Sequence, residues 1–470
     1  MKTVKESSCT PLADALIKLK SAESLTSFHA LPLSRSMSIT NCELADKYQE
    51  LLGDTLLGTE MTLTGKYFDS FFFANGVIKE AEQLAANLFS ADGTLFVTSG
   101  TTTSNQIAIH ALHQDGGRVL LDRQCHQSMH FTLHSLRAKV DYLIPTNSCE
   151  HSGRNHWHLE QLVQKAITAK QNGEPYHLIV LNAQSYDGVI YNIPSVIEYL
   201  LKHDIGTRNF LIDEAWGAAN YFNNLISKYA AMNIADSLMS EYPDLSVVAT
   251  HSAHKSLSCM RQASMIHFRG SNKLRDRLHA ARFQIHTTSP SYPILASLDL
   301  ARAQMAIQGE ALTRKVTYLA KMFIETISTD PLLNTFKTNK YIFPEHPFQY
   351  AFADPTKISL NVEELGIQPI DVKELLYAKY GIYINRLTET SLLLNFHIGI
   401  KQECVNKLIS ALRELQLAYP ANFPIQGYSQ EFIIPYPPGV PLIVPGESIT
   451  HHIQKKIRDI QNSGVHVFSI

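Results

Sequence analysis

Cysteine, charge bias and long apolar runs are all scarce in this sequence of 470 residues. Its six cysteines form no C-x-x-C pair and no disulfide-like cluster, which predicts a reducing compartment. No stretch approaches the roughly 18 apolar residues of a membrane span, and the N-terminus lacks an apolar signal region. We therefore predict a soluble, cytoplasmic protein with no membrane partner.

The charge balance argues against nucleic acid as a partner. Lys and Arg number 41 and Asp and Glu number 43, which gives a formal net charge of -2. No block of basic residues is present to follow a phosphate backbone. We also predict no metal site.

The length favours more than one domain, and the pattern predicts where they lie. Short β-branched runs alternate with helical spacing from about residue 77, as a parallel sheet with covering helices requires. The seven runs are 94–98, 118–122, 140–144, 177–181, 209–213, 246–250 and 263–268. We predict an N-terminal segment (1–60), a large α/β domain with a mostly parallel seven-stranded sheet (61–330) and a smaller α+β domain (331–470).

Helical spacing occurs at Ile78 to Phe89 and Leu159 to Ala169, and a short helix is permitted at Leu12 to Leu19. The smaller domain is predicted to have strands at 341–343, 357–360, 382–385 and 391–394 and helices at 372–380 and 403–417. The proline-rich stretch from Ile434 to Glu447 predicts a loop or linker without regular structure.

A lysine, Lys255, follows the apolar run that ends at Thr250. A lysine amine whose pKa is lowered by its surroundings can form a Schiff base with a carbonyl compound such as pyridoxal phosphate (PLP). The short pattern Ser252-Ala-His-Lys255 is weak by itself, since most lysines after a strand are solvated loop residues.

Three further groups follow predicted strands. The hydroxyl-rich turn after Ser99 suits a phosphate or an ordinary helix cap. His126 could stack on a cofactor ring or be a surface residue, and Asp213 could hold a ring nitrogen protonated, cap a helix or bind a metal. Because the carboxyl ends of parallel strands meet at one edge of a sheet, together these groups predict one crevice.

At this point the sequence resembles the Orn/Lys/Arg decarboxylases, PLP enzymes of the aspartate-aminotransferase-like fold, known as fold type I. The similarity extends from about Asp69 to Glu447. Its motifs are 76–81, 97–105, 122–126, 186–188, 213–216, 250–255, 264–267, 287–290 and 435–439. The chain resembles the short form without an N-terminal wing domain, and where the family has Pro-Gly-His-Lys it reads Phe28-His-Ala-Leu-Pro-Leu-Ser34.

The resemblance implies a role for each matching residue. Lys255 would be the Schiff-base lysine, Asp213 the partner of the pyridine nitrogen and His126 the ring stacked on PLP. The phosphate would be held by Thr101, Thr102 and Ser252. His254 would contact the cofactor or substrate beside the imine, Ala215 would lie against the ring and Trp216 would line the pocket. In a homodimer, Thr287 would reach the phosphate of the neighbouring subunit.

The implied reaction is decarboxylation of a basic amino acid, arginine, lysine or ornithine, to an amine and CO2, in a site at the dimer interface. Where some members place an acid for the distal amine, this chain reads Asn385-Arg-Leu387 with Glu389 nearby. Asn385 and Glu389 are the expected substrate contacts. Two alternatives stay open: another PLP reaction, transamination or lyase chemistry, on the same scaffold, and a catalytically silent regulatory homologue.

Overall fold

The computed structural model describes residues 8–22, 26–61, 68–149, 154–333, 335–338, 346–419, 429–436, 439–447, 453, 456–457, 460 and 464–470. The predicted strand at 341–343 lies outside them. The helices are α1 (Pro11–Lys20), α2 (Ala45–Thr59), α3 (Val77–Leu88), α4 (Gly100–Leu112), α5 (Gln127–Ser135), α6 (Leu159–Gln171), α7 (Ile193–Lys202), α8 (Asp236–Glu241), α9 (Ala253–Ser256), α10 (Asn272–Ile285), α11 (Tyr292–Thr329), α12 (Pro369–Tyr380) and α13 (Gln402–Ala418).

The strands follow the same order along the chain. They are β1 (Gly93–Val97), β2 (Arg118–Asp122), β3 (Lys139–Leu143), β4 (Thr146–Cys149), β5 (Arg154–His156), β6 (Tyr176–Asn182), β7 (Val189–Tyr191), β8 (Asn209–Asp213), β9 (Ser246–His251), β10 (Ser264–Arg269), β11 (Lys337–Thr338), β12 (Ala351–Ala353), β13 (Lys357–Asn361), β14 (Arg386–Leu387), β15 (Ser391–Asn395), β16 (Ile433–Tyr436) and β17 (His466–Ser469).

The described chain divides into two compact units. The first contains Met1–Ser148, Asn155–Lys315 and Ile342–Asp354, and the second contains Cys149–Arg154, Val316–Tyr341 and Pro355–Ile470. The domain borders predicted from the sequence, at residues 60 and 330, remain a prediction.

All seven predicted strands of the large domain lie in one sheet of the first unit. The order is β1-β10-β9-β8-β6-β2-β3. Neighbours from β9 to β3 pair in parallel, and β10 alone runs antiparallel, between β1 and β9. Strands β9 and β10 are buried at every position, as expected for strands covered on both faces. The predicted fold class, a mostly parallel α/β sheet, is therefore confirmed.

The helix before the sheet shows how local sequence fixes an element. Helix α3 buries Ile78, Ala81 and Ala85, which recur at helical spacing. The Asp69 carboxylate accepts backbone N–H bonds from Gly76 at 2.9 Å and Ile78 at 3.0 Å, so it caps the start of this helix.

The second unit is a smaller α+β structure with its own core. Its antiparallel sheet has the order β11-β13-β15-β14. Phe323, Leu360, Leu392 and Leu412 are buried in one apolar cluster of this unit. Strands β13 and β15 and helices α12 and α13 confirm the predicted elements there.

Two predictions for this region are wrong. Residues 382–385 are not a strand, because Ile382 still donates its N–H to Leu376 at the end of helix α12, and pairing with β15 begins only at Arg386. The proline-rich stretch contains strand β16, which pairs with β17. Phe432 and Ile470 exchange both of their backbone hydrogen bonds, so by alternation the nitrogen of Pro435 faces away from β17. Pro435 fits there because, among the described residues, only Ile433 of β16 has a bridge partner on that side, Ile443.

Candidate active site

The carboxyl ends of the parallel strands bring the predicted residues to one edge of the sheet. Asp213 is the last residue of β8, and Lys255 lies in the short helix α9 after β9. His126 follows β2, and Gly100 begins helix α4 after β1. Because β1, β2, β8 and β9 run in the same direction, these residues share the ligand-binding edge of an open α/β sheet.

Asp213 is a buried carboxylate with two backbone partners. The residue is only 2% exposed. Its carboxylate accepts N–H bonds from Ala215 at 3.1 Å and from His126 at 3.4 Å. Asp213 therefore provides a fixed anion, and it holds the turn that carries His126.

A cluster of hydroxyl groups lies at the start of helix α4. Thr101 Oγ1 is 2.5 Å from Ser252 Oγ and 2.9 Å from Ser264 Oγ, and all three residues are buried. Thr102 is exposed in the same turn. The first turn of a helix also has backbone N–H groups without partners inside the helix, so this region can bind an anion such as phosphate.

The turn into helix α4 depends on a glycine. Gly100 has φ +78, a conformation that other residues rarely adopt. Its N–H donates to the carbonyl of Gln262 at 2.8 Å. This bond joins the hydroxyl-rich turn to the segment between α9 and β10.

Lys255 has the surroundings of a nucleophilic lysine. Its Nζ lies 4.4 Å from the centre of the Trp216 ring. Burial lowers the pKa of the Lys255 amine, while the Asp213 charge acts in the opposite direction. The Trp216 ring is itself held edge-on by Tyr186, with ring centres 4.8 Å apart. Ala215, between Asp213 and Trp216, is 9% exposed.

The histidine beside this lysine has a defined orientation. His254 Nδ1 is 2.9 Å from the carbonyl oxygen of Ala263, so Nδ1 carries the proton and donates it. Burial lowers the pKa of His254, which favours the neutral ring with an unprotonated Nε2.

His126 caps helix α5 and leaves its ring exposed. Nδ1 accepts the backbone N–H of Ser128 at 3.3 Å and is 2.9 Å from the Ser128 hydroxyl. An exposed flat ring with one edge fixed by the protein is suited to stacking on a cofactor.

Three further predicted residues are exposed. Thr287 is exposed after helix α10, and its hydroxyl accepts the N–H of Ser289 at 3.2 Å. Asn385 and Glu389 belong to the second unit, where both are exposed. Asn385 Oδ1 accepts a hydrogen bond from Tyr383 at 3.1 Å.

Sequence reasoning missed Asp122, which closes strand β2. It is 0% exposed and accepts N–H bonds from Gln124 at 2.9 Å and Asn182 at 3.2 Å. Burial, assisted by the Asp213 charge, raises the pKa of Asp122 to about 7. Its place at a strand's carboxyl end was the available signal.

A buried chain of hydrogen bonds was also missed. The Glu214 carboxylate is 3.1 Å from His251 Nε2, whose Nδ1 is 3.0 Å from His267 Nε2. Tyr221 and Thr94 extend this chain at its two ends, at 2.9 and 2.7 Å. The chain joins the residue after Asp213 to the residue before Ser252 and so connects the ends of β8 and β9.

The arrangement fits PLP. A phosphate would meet the Thr101 and Ser252 hydroxyls, a protonated pyridine nitrogen would meet the buried Asp213 carboxylate, and an aldehyde would meet the Lys255 amine. Among the described residues, no group of three or more His, Cys, Asp or Glu side chains is arranged to hold a metal ion. In the same residues, no helix is long and apolar enough to cross a membrane.

Several curated proteins with similar sequences are decarboxylases. An arginine decarboxylase of Bacillus subtilis (strain 168) is 26% identical over 442 residues, which cover 86% of this chain and 85% of that protein. The lysine decarboxylase LdcA of Pseudomonas aeruginosa is 28% identical over 466 residues, which cover 88% of this chain and 60% of that protein.

Solved structures show the same fold. The lysine decarboxylase LdcF of Francisella novicida matches with a TM-score of 0.77 at 21% identity, covering 97% of this chain and 78% of that one. Lysine decarboxylase A from Pseudomonas aeruginosa matches with a TM-score of 0.78 at 23% identity, covering 97% and 76%.

The family comparison covers most of the chain. The major domain of the Orn/Lys/Arg decarboxylases matches residues 10–404, and their C-terminal domain matches residues 427–463. The chain therefore belongs to the Orn/Lys/Arg decarboxylase family of PLP-dependent amino-acid decarboxylases.

Proposed function

We propose that the protein converts a basic amino acid, arginine, lysine or ornithine, to the corresponding amine and CO2. The observation that carries the proposal is the Lys255 amine, which lies 4.4 Å from the Trp216 ring and whose pKa is lowered by burial. A lysine that loses its proton readily is the group that this chemistry requires.

The residues that would hold the cofactor surround this lysine. Thr101, Thr102 and Ser252 would bind the phosphate, while Asp213 would keep the ring nitrogen protonated. The exposed ring of His126 would lie on one face of the cofactor and Ala215 on the other. PLP, when bound, supplies the ring that takes up the electron pair left when a carboxylate departs as CO2.

The protein's own groups would then manage the protons. Lys255 would bind the cofactor covalently, give it up to the substrate amine and hold a proton at Nζ. His254 has Nδ1 committed to the Ala263 carbonyl, so its Nε2 would be the atom available beside Lys255. Trp216 would line the pocket and limit the access of water to the lysine.

The choice of substrate would depend on Glu389 and Asn385. A basic amino acid has a distal cation that an acidic side chain can receive, and Glu389 is the proposed acid, with Asn385 as a neutral hydrogen-bonding partner. Relatives named for arginine and for lysine both support a basic substrate in general. Ornithine completes the set that the family name covers.

The proposal includes the oligomeric state and the cellular location. We place the active site at the interface of a homodimer, to which each subunit would contribute Thr287 toward its neighbour's phosphate site. The exposed Thr287 hydroxyl agrees with this role. A cytoplasmic location and a part in polyamine biosynthesis complete the proposal.

The test is amine release from a panel of amino acids by the purified, PLP-loaded protein. We expect the visible absorbance of lysine-bound PLP in the wild type and CO2 with a matching amine from at least one basic amino acid. Lys255→Ala should remove both signals, whereas Lys228→Ala, a lysine outside the proposed site, should keep both.

Two results would contradict the proposal. Formation of a keto acid without CO2 would identify a transaminase instead. A loaded protein that releases no amine from arginine, lysine or ornithine would remove the proposed reaction while leaving the cofactor site intact.

A further inference from the structure

We infer that Ser128, Asn105 and Thr250 form a relay of positioning residues that holds His126 as the tautomer with its proton on Nε2. His126 would then offer an N–H donor at the cofactor and would not act as a base. The inference rests on the proposed function only in placing the His126 ring at the bound cofactor.

The Nδ1 edge of the His126 ring faces a backbone donor. The backbone N–H of Ser128 points at Nδ1 from 3.3 Å. A backbone amide can only donate, so this long contact favours an accepting Nδ1, with the proton of the neutral ring on Nε2. In the other tautomer this contact would be lost, and Nδ1–H would need the Ser128 hydroxyl oxygen as its acceptor.

The Ser128 hydroxyl oxygen lies 2.9 Å from Nδ1 of His126. The same hydroxyl oxygen accepts the side-chain N–H of Asn105 at 2.9 Å. Because the hydroxyl oxygen accepts there, the hydroxyl's own proton is available for Nδ1. The hydroxyl therefore supports the same tautomer as the backbone amide.

Thr250 fixes the direction of the Asn105 amide. Its Oδ1 accepts the Thr250 hydroxyl proton at 2.7 Å, which leaves the amide nitrogen facing Ser128. Asn105 is 1% exposed, Ser128 4% and Thr250 0%. Buried polar groups of this kind need their partners, so reversing the direction of the relay would be costly.

The relay is connected to the strands that carry the site residues. Thr250 pairs with Asp213 in the register of β8 and β9. The carboxylate of Asp213 accepts the N–H of His126 at 3.4 Å, so the backbone and the ring of the same histidine are fixed from neighbouring strands. Among the described residues Nε2 of His126 has no hydrogen-bond partner, and it remains available to a ligand.

The decisive test reverses the relay with Asn105→Asp. A carboxylate cannot donate, so the Ser128 hydroxyl would turn to the new carboxylate at position 105 and its oxygen would accept from Nδ1–H. The tautomer is read from the 15N shifts of the ring nitrogens in the full chain labelled with 15N-histidine, both loaded with PLP and freed of it. The His126→Gln variant assigns the signals.

We expect a protonated Nε2 and an unprotonated Nδ1 in the wild type and a gain of protonated Nδ1 in N105D. Ser128→Thr, which keeps the hydroxyl, should resemble the wild type. An unprotonated Nε2 in the wild type, or an unchanged tautomer in a folded N105D protein, would overturn the inference. Because the PLP-free protein suffices, failure of the proposed reaction would leave this result readable.

Thr250→Val supplies a second route if N105D does not fold. It removes the hydroxyl that orients Asn105 and should yield a mixture of tautomers, and a pure Nε2–H form in T250V would contradict the relay. The matched control is Asn209→Asp, at the opposite end of β8, where the amide donates to the carbonyl of His177 at 2.9 Å. It loses a comparable bond and should keep the wild-type tautomer.

Activity supplies an independent readout for whichever basic amino acid is turned over. N105D should lower kcat about tenfold, the effect of one misdirected hydrogen bond, with a smaller change in KM and unchanged PLP content. The control N209D should keep the wild-type kcat. Equal losses of kcat in N105D and N209D would indicate a general structural effect and overturn the inference.

Discussion

Replacing Asp122 by asparagine should change how the stability of the protein depends on pH. Asp122 is fully buried, and burial raises its pKa from 3.8 to about 7, with a further contribution from the Asp213 charge. Because the folded pKa lies above the unfolded value, the contribution of Asp122 to the free energy of unfolding is fully present below about pH 4. This contribution is lost as the pH rises toward about 7.

The size of the effect follows from the difference in pKa. At 1.36 kcal/mol per pH unit, the whole loss is about 4 kcal/mol, and about 2 to 3 kcal/mol of it falls between pH 5 and pH 8. Asparagine does not ionise in this range, so Asp122→Asn should lack this loss. Its amide can accept from only one of Gln124 and Asn182, which costs about 1–3 kcal/mol at every pH.

The assay is urea unfolding of the PLP-free protein at several pH values from 5 to 8. The free energy of unfolding of D122N relative to the wild type should rise across this range. Asp54→Asn, which removes an exposed carboxylate, is the control for the loss of one charge and should run parallel to the wild type. Parallel curves for D122N and the wild type would refute the buried, raised-pKa carboxyl.

Two further predictions concern buried charges. Arg282→Met should lower the free energy of unfolding by about 3–5 kcal/mol, because Glu82, 2.6 Å from the guanidinium, would lose its buried partner. Chemical denaturation should show that adding Glu82→Gln, which removes the unpaired charge and keeps an acceptor for the Phe96 N–H, recovers most of this loss, and an additive double variant would contradict the pairing. Trp216→Ala should raise the pKa of Lys255 toward its ordinary value by admitting water, which the pH dependence of amine labelling by trinitrobenzenesulfonate in PLP-free protein would measure; an unchanged pKa would mean that Trp216 does not shield the amine.

The strands and the residues that follow them in the site could be predicted from the sequence, because they depend on local patterns. The apolar run before Lys255 and the run that ends at Asp213 each predict a strand, and parallel strands leave only one edge for the residues that follow them. His126 came to the same edge for the same reason. The seven strands of the sheet agree with the predicted ones to within one residue at every end.

The polar network could not be predicted in the same way. Asn105 and Thr250 are separated by 145 positions, and no spacing rule relates them. Asp122 has the same place on its strand as Asp213, but its raised pKa depends on burial from several directions. The error at residues 382–385 has a similar origin, because apolar alternation indicates a strand only where a neighbouring strand is available to pair.

The antiparallel strand β10 has a consequence for biosynthesis. Within the described part of the chain, strand β1 pairs only with β10, in a register that joins Gly93 to Phe268. During synthesis from the N-terminus, β1 emerges from the ribosome long before its partner, whereas β2, β3, β6, β8 and β9 can associate as they appear. The sheet is thus completed late, by pairing of strands that are far apart in the sequence. Until then β1 is an unpaired strand edge, to which a chaperone could bind.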